Sequence, residues 1–206
     1  MTFVSCTCPL PAAIGGITAV TCGENLGQIV KIAFQRAGSP FIGFTGVLNH
    51  ADLLASWTAK KAAADATKIQ VTPFLENMVI PQVEAITEGG DDNSTIDGRV
   101  IVVGASTIQV TGQFRSLPAA TLRELKAYSC ENDLTAYFIN EFGKIIGVSE
   151  DDVELAGIPI YEWFIGDGGS EGKNTQDKTI YRFNMNYGWR DYLKFVTPSD
   201  FNGRDL

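Results

Sequence analysis

The chain has 206 residues, 45% of them hydrophobic and 19% charged, with a formal net charge of −8 and a pI of about 4.6. That length supports a full core and fits a single domain, 1–206, carrying extended arms. The acidic balance excludes a basic footprint for nucleic-acid recognition, although an acidic protein can line a path that DNA must pass without sticking.

Residues 1–27 are punctuated by Pro9, Pro11, Gly15, Gly16, Gly23 and Gly27 and read as an extended arm. The N-terminus has no basic start, and Cys6, Cys8 and Pro9 fall where an apolar stretch would be needed, so no signal peptide is expected. Synthesis in a reducing cytoplasm follows. The β core is expected over 28–196. Gln28 to Arg36 alternates and predicts a strand. Gly38 to Gly46 is turn-rich, with exposed Phe41, Ile42 and Phe44. Asn49 is placed to cap an Ala-rich helix near 50–65, with Leu53, Leu54, Trp57, Lys61 and Ala64 on one stripe. A strand follows at Lys68 to Thr72, then an extended segment between Pro73 and Pro81. Glu84 to Gly98 reads as a polar loop.

The organising stretch is Asp97 to Gly147, which reads strand, turn, strand, helix, strand, turn, strand. Arg99 to Val103 is a short apolar run, turned by Gly104-Ala105-Ser106. Thr107 to Arg115 alternates: Ile108, Val110, Gly112 and Phe114 point one way, Thr107, Gln109, Thr111, Gln113 and Arg115 the other. That period of two is a strand with one face buried. Pro118 opens a helix near 118–131, with Ala119, Leu122, Leu125 and Tyr128 as its apolar stripe. Leu134 to Asn140 and Lys144 to Val148 are strands around a Phe142-Gly143 turn. Ile158 to Ile165 and Thr179 to Asn186 read as further strands, Gly166 to Asp177 as a loop, and Trp189 to Val196 as an aromatic turn or short helix. Residues 197–206 form a polar tail. The fold class is mainly β (α+β): an antiparallel β-sandwich or barrel with one flanking helix and a second, Ala-rich one. The 21 glycines favour this over a helical bundle.

The chemistry-bearing residue types do not assemble into a reaction site. His50 is the only histidine and starts a helix, where it reads as a surface residue. Gly104-Ala105-Ser106-Thr107-Ile108 lacks the second glycine of a nucleophile elbow. Gly168-Gly169-Ser170-Glu171-Gly172-Lys173-Asn174 fails as a P-loop, with Asp167 at the first glycine and Asn174 at the magnesium hydroxyl. Cys6, Cys8, Cys22 and Cys130 lack zinc-knuckle spacing and read as free thiols. Glu84, Glu88, Asp91, Asp92, Asn93 and Asp97 are a ring of oxygens without EF-hand spacing, and a solvated run is the plainer reading. Asn93-Ser94-Thr95 matches a glycosylation sequon without a secretory context. The aromatic residues Trp163, Phe164, Tyr181, Phe183, Tyr187, Trp189, Tyr192 and Phe195 lack a basic groove and read as core and interface.

Several phrases carry a resemblance: Asp65-Ala66-Thr67-Lys68-Ile69 before Thr72-Pro73, the run Glu84 to Thr95, Glu124-Leu125-Lys126, Tyr137 to Gly147, and Gly188-Trp189-Arg190-Asp191-Tyr192-Leu193. Over roughly 25–200 the chain resembles virion structural proteins of tailed bacteriophages of the Bacteroidetes-infecting type, and among them tail tube proteins. The resemblance implies two antiparallel sheets with a helix on one side, and six copies in a ring, with rings stacked into a DNA channel. It implies no enzyme, no cofactor and no metal. The implied partners are further copies of the chain, other virion structural proteins and DNA as non-specific cargo, with no membrane. The place would be the virion, after synthesis in the host bacterial cytoplasm. Expected subunit contacts are the arm and two loops, with Glu84, Glu88, Asp91, Asp92 and Asn93 on one and Asp167, Glu171 and Lys173 on the other. The helix at 50–65 and the cysteine-bearing arm equally suit a connector, a tail terminator or a capsid accessory protein. A calcium- or carbohydrate-binding β-sandwich is the alternative from another class.

Overall fold

Two open antiparallel sheets face each other across one apolar layer, and a second apolar layer lies behind the larger sheet. The computed structural model describes residues 25–44, 49–90, 99–170 and 172–206. The strands are β1 (Ile29–Arg36), β2 (Gln70–Val71), β3 (Leu75–Val79), β4 (Ala85–Glu88), β5 (Ile101–Ala105), β6 (Ile108–Arg115), β7 (Leu134–Asn140), β8 (Ile145–Val148), β9 (Ile158–Pro159), β10 (Tyr161–Ile165), β11 (Lys178–Met185) and β12 (Leu193–Val196). The α-helices among the described residues are α1 (Leu54–Ala62) and α2 (Ala119–Ala127). The larger sheet runs β12-β8-β7-β1-β2, with β9 also on β7; the smaller runs β10-β11-β6-β3; β4 and β5 form a separate ribbon. Neither large sheet closes, so the architecture is a sandwich and the barrel alternative falls away.

The alternation in β6 is realised residue by residue. Ile108, Val110 and Phe114 are buried while Gln109, Thr111 and Arg115 are exposed. Tyr181, Phe183 and Met185 of β11 join them and meet Phe34, Phe138 and Ile146 from the larger sheet. Gly112 is a strand glycine because Tyr181 lies across it: a Cβ there would sit 2.3 Å from the Tyr181 hydroxyl oxygen. β7 is buried along its whole length. Leu134, Ala136 and Phe138 enter the inter-sheet layer, and Tyr137 and Ile139 enter the rear layer with Phe41, Trp57 and Leu155. Each such side chain taken from water contributes about 1.5–3 kcal/mol. β1 likewise has both faces covered, Ile32 and Phe34 forward and Ala33 to the rear, so its alternation does not mark a wet face.

Several expectations are corrected. The stretch 97–147 is shared among the sheets: β5 is in the ribbon, β6 joins the smaller sheet, β7 and β8 the larger, and α2 packs with Leu125 buried and its carbonyl oxygen accepting from Trp163 Nε1 at 2.9 Å. The single strand expected at Ile158 to Ile165 is two, because the chain changes sheets at buried Ile160. Phe41 is fully buried rather than exposed, its ring tilted against Trp57 with centroids 4.8 Å apart. The 50–65 helix is only α1. Asn49 is in a left-handed turn (φ 56°) and does not cap it; the Leu54 N–H donates instead to Asp200 Oδ1, 2.9 Å away. Of the expected stripe only Trp57 is buried, its Nε1 donating to the Ala51 carbonyl oxygen at 2.8 Å. The aromatic segment before Val196 ends as a strand, β12, paired to the β8 edge. In the last ten residues, Phe201 and Leu206 pack on the rear layer, and the Gly203 N–H donates to the Gly143 carbonyl oxygen at 3.2 Å. Most of the expected arm (residues 1–24), with Cys6, Cys8 and Cys22, lies outside the described residues.

Candidate assembly surface

Glu84 to Gly98 is not wholly a loop. Its first part is β4, which pairs with β5 in the register Ala85↔Ala105, Ile86↔Gly104, Thr87↔Val102 and Glu88↔Ile101. The register shifts between Ile86 and Thr87, so Val103 is the extra residue of a bulge. The base is tied by the Glu84 N–H to Ser106 Oγ at 3.0 Å and the Ser106 N–H to the Glu84 carbonyl oxygen at 2.9 Å. The ribbon stands away from both cores. Val100, Ile101, Val102 and Val103 are 51–64% exposed and Ile86 is 51% exposed. Among the described residues the two strands have no third neighbour, so the outer edges of both β4 and β5 are open there. A cleft beside the base is lined by Val83, Ala85, Val102, Val103 and exposed Tyr187.

The expected contact residues divide between two places. Glu84 and Glu88 sit on this ribbon, both exposed. Asp167 and Lys173 are exposed on the loop after β10, where Asp167 pairs with Lys126 of α2. Asp91, Asp92, Asn93 and Glu171 lie outside the described residues, as do Asp97 and the sequon. Reading Glu84 to Gly98 as a loop missed β4, while the strand expected from Arg99 is present as β5; its pairing into an exposed ribbon was not foreseen. The available signal was the lack of alternation in Val100 to Val103 beside a strongly polar neighbour segment.

The chemistry tested on sequence remains dispersed. No group of three or more His, Cys, Asp or Glu among the described residues is arranged to hold a metal. His50 lies against Gly43, with its Nδ1 buried and without a hydrogen-bond partner. Cys130 is a free, exposed thiol at the end of the turn after α2. Trp163, Tyr181 and Phe183 are stacked in the core, Trp163 and Tyr181 at 5.4 Å between centroids. Burial pushes the phenols of Tyr137 and Tyr181 well above their usual range; the Tyr137 hydroxyl reaches Gln35 Oε1 at 3.1 Å, while that of Tyr181 has no partner. These are structural groups, not an acid–base pair facing a cleft.

No family model matches this chain, and no curated protein does. Among solved structures the chain is similar to a chain of the anti-feeding prophage baseplate, determined by cryo-electron microscopy with six-fold symmetrisation, at 8% identity and a TM-score of 0.32, over 85% of this chain and 97% of that one. A likeness of that degree leaves the assignment to the chain's own residues.

Proposed function

We propose that this chain is a self-assembling virion structural protein, a tail tube subunit whose hexameric rings stack around a channel for DNA. The observation that carries this reading is the ribbon, where Val100 and the first three residues of β5 are four consecutive exposed apolar side chains beside an edge open among the described residues. A contiguous exposed apolar patch on an ordered element is a contact surface awaiting a partner. The resemblance in the phrases between residues 65 and 193 supports the virion context, and the net charge of −8 suits a conduit that DNA traverses without adhering. On this reading the chain is not an enzyme and takes no cofactor or metal. Its partners are further copies and other virion structural proteins, with DNA as non-specific cargo, and it joins the virion after synthesis in the host bacterial cytoplasm. Glu84, Glu88, Asp91, Asp92 and Asn93 would flank one contact, and Asp167, Glu171 and Lys173 another.

Negative-stain electron microscopy of the purified protein over a concentration series tests this. Stacked rings or tubes with an open channel are the expected result. A monodisperse monomer at high concentration counts against self-assembly.

A further inference from the structure

The ribbon needs a cover, and we infer that a neighbouring copy supplies it with residues 1–23. This rests on the assembly reading above and names the segment that makes the contact. Two properties of the ribbon define what can cover it. Val100 to Val103 and Ile86 call for an apolar, uncharged partner, because a charge pressed on them would lose its hydration without gaining a counter-ion. The open β5 edge calls for extended backbone, which can satisfy its N–H and C=O groups as an added strand.

Residues 1–23 meet the first condition better than any other part of the chain. Charged residues make up 19% of the sequence, yet none falls before Glu24, and no other stretch free of charge is as long. Phe3, Val4, Leu10, Ile14, Ile17 and Val20 supply apolar side chains along it. The exposed apolar residues elsewhere on the described surface, such as Ile42, Phe142, Phe164 and Ile180, are separated in sequence and do not form a matching continuous strip. The segment is attached to the folded body at a defined point. Asn140 Nδ2 donates to the Leu26 carbonyl oxygen at 3.1 Å, and the Glu141 N–H to that of Gln28 at 2.8 Å. From there, 23 extended residues reach about 75 Å, against a radius of gyration of roughly 17 Å for a domain of this length. The span passes easily to another subunit.

The assembly argument selects the neighbour's segment over a second ribbon. Two ribbons pairing through the same edge, β5 to β5, make a self-complementary contact that is complete in a dimer. An arm on a ribbon uses two different surfaces of each chain, so every copy both gives and receives, and the contact propagates into a ring or a stack.

The test uses the full chain with Cys130→Ser to remove the exposed thiol and Val102→Cys to place one on the ribbon. Assembled protein is oxidised mildly and run without reductant, with Cys6, Cys8 and Cys22 as the reporters. A ladder of linked oligomers is expected, lost when Cys6, Cys8 and Cys22 are replaced by Ser in the same full chain. Val102 is a solvent-facing position, and an unchanged thermal melt shows that the variant is folded. A link within one chain, a Val102→Cys dimer that survives the serine replacements, or rings that form without any link would each overturn the inference; the last leaves the assembly reading standing. Protein that neither assembles nor links overturns both.

Discussion

β5 and β6 are consecutive strands, separated by only Ser106 and Thr107, and they have opposite fates. β6 is the more polar of the two, yet Ile108, Val110 and Phe114 are almost wholly shielded. β5 is nearly all apolar, yet every residue but Ala105 is exposed. The difference lies in partners. β6 is a central strand, with β11 on one edge, β3 on the other and the larger sheet across its inner face. β5 has only β4. Apolar content alone therefore does not decide burial; a strand is buried when its periodicity matches a surface that can cover it. A strand rich in Val and Ile with no such surface among the described residues is, on the proposed reading, a contact for another chain.

The widest test of this contrast is the same substitution on each strand. Val110→Asp should cost about 4 kcal/mol or more, because a carboxylate without a partner would enter the inter-sheet layer. Far-UV circular dichroism and denaturant titration should find the subunit largely unfolded. Val102→Asp should change stability by only about 0.5 kcal/mol, while sedimentation shows assembly lost. If Val102→Asp unfolded the subunit, the ribbon would be part of the core and the comparison would fail.

A smaller effect is expected at Gly112, where β6 receives the Tyr181 ring. A methyl group there would meet the Tyr181 hydroxyl oxygen at 2.3 Å and its Cζ at 2.5 Å, so the ring must move within a packed layer. Gly112→Ala should lower stability by about 1–3 kcal/mol. Tyr181→Phe removes a buried hydroxyl that has no partner and should be close to neutral. The double variant should recover part of the glycine loss, and a double-mutant cycle by chemical denaturation measures it. Simple additivity of the two changes would mean that the close approach does not set the choice of glycine.

The same physics separates what was legible in the sequence from what was not. β6 and α2 were legible because local period and the Pro118 break agree with the final packing. β7 was legible in its bounds, but not in having both faces covered: Tyr137 and Ile139 are buried only because Phe41, Trp57 and Leu155 come from distant parts of the chain. Continuous apolar runs are ambiguous in just this way, since β7 and β5 look alike as strings and differ only in what the rest of the chain brings to them. The sheet change at Ile160 and the capping of α1 by Asp200 were invisible for the same reason: each depends on a long-range contact that no spacing rule contains. At the candidate surface, the acidic residues drew the reading toward a loop, while the exposed apolar side chains lie on the strand beside it.

The smallest expected effect is acid sensitivity, and it should belong to the folded body alone. Glu131 is held below the usual carboxylate range by hydrogen bonds from the Arg36 guanidinium, Nε to Oε2 at 2.9 Å and Nη2 to Oε1 at 2.7 Å. Asp65 is lowered by the Thr67 hydroxyl at 2.6 Å and N–H at 2.9 Å, and Asp151 by the N–H groups of Glu154 at 3.1 Å and Val153 at 2.9 Å. A carboxylate lowered in the folded state favours folding while it is ionised in both states. Its contribution is therefore present above the unfolded pKa, near 4, and is lost as the pH falls through the lower folded value. Thermal midpoints should hold between pH 7 and 5 and decline below about 4, with Glu131→Gln flattening the decline. Salt should weaken the Arg36–Glu131 part, since that pair is solvent-exposed. None of these three carboxylates is on the ribbon, so Val102→Asp should follow the wild-type acid profile even though it no longer assembles. A steeper profile in Val102→Asp would mean that the ribbon contributes to the stability of the single subunit, and its role as a surface for another chain would have to be given up.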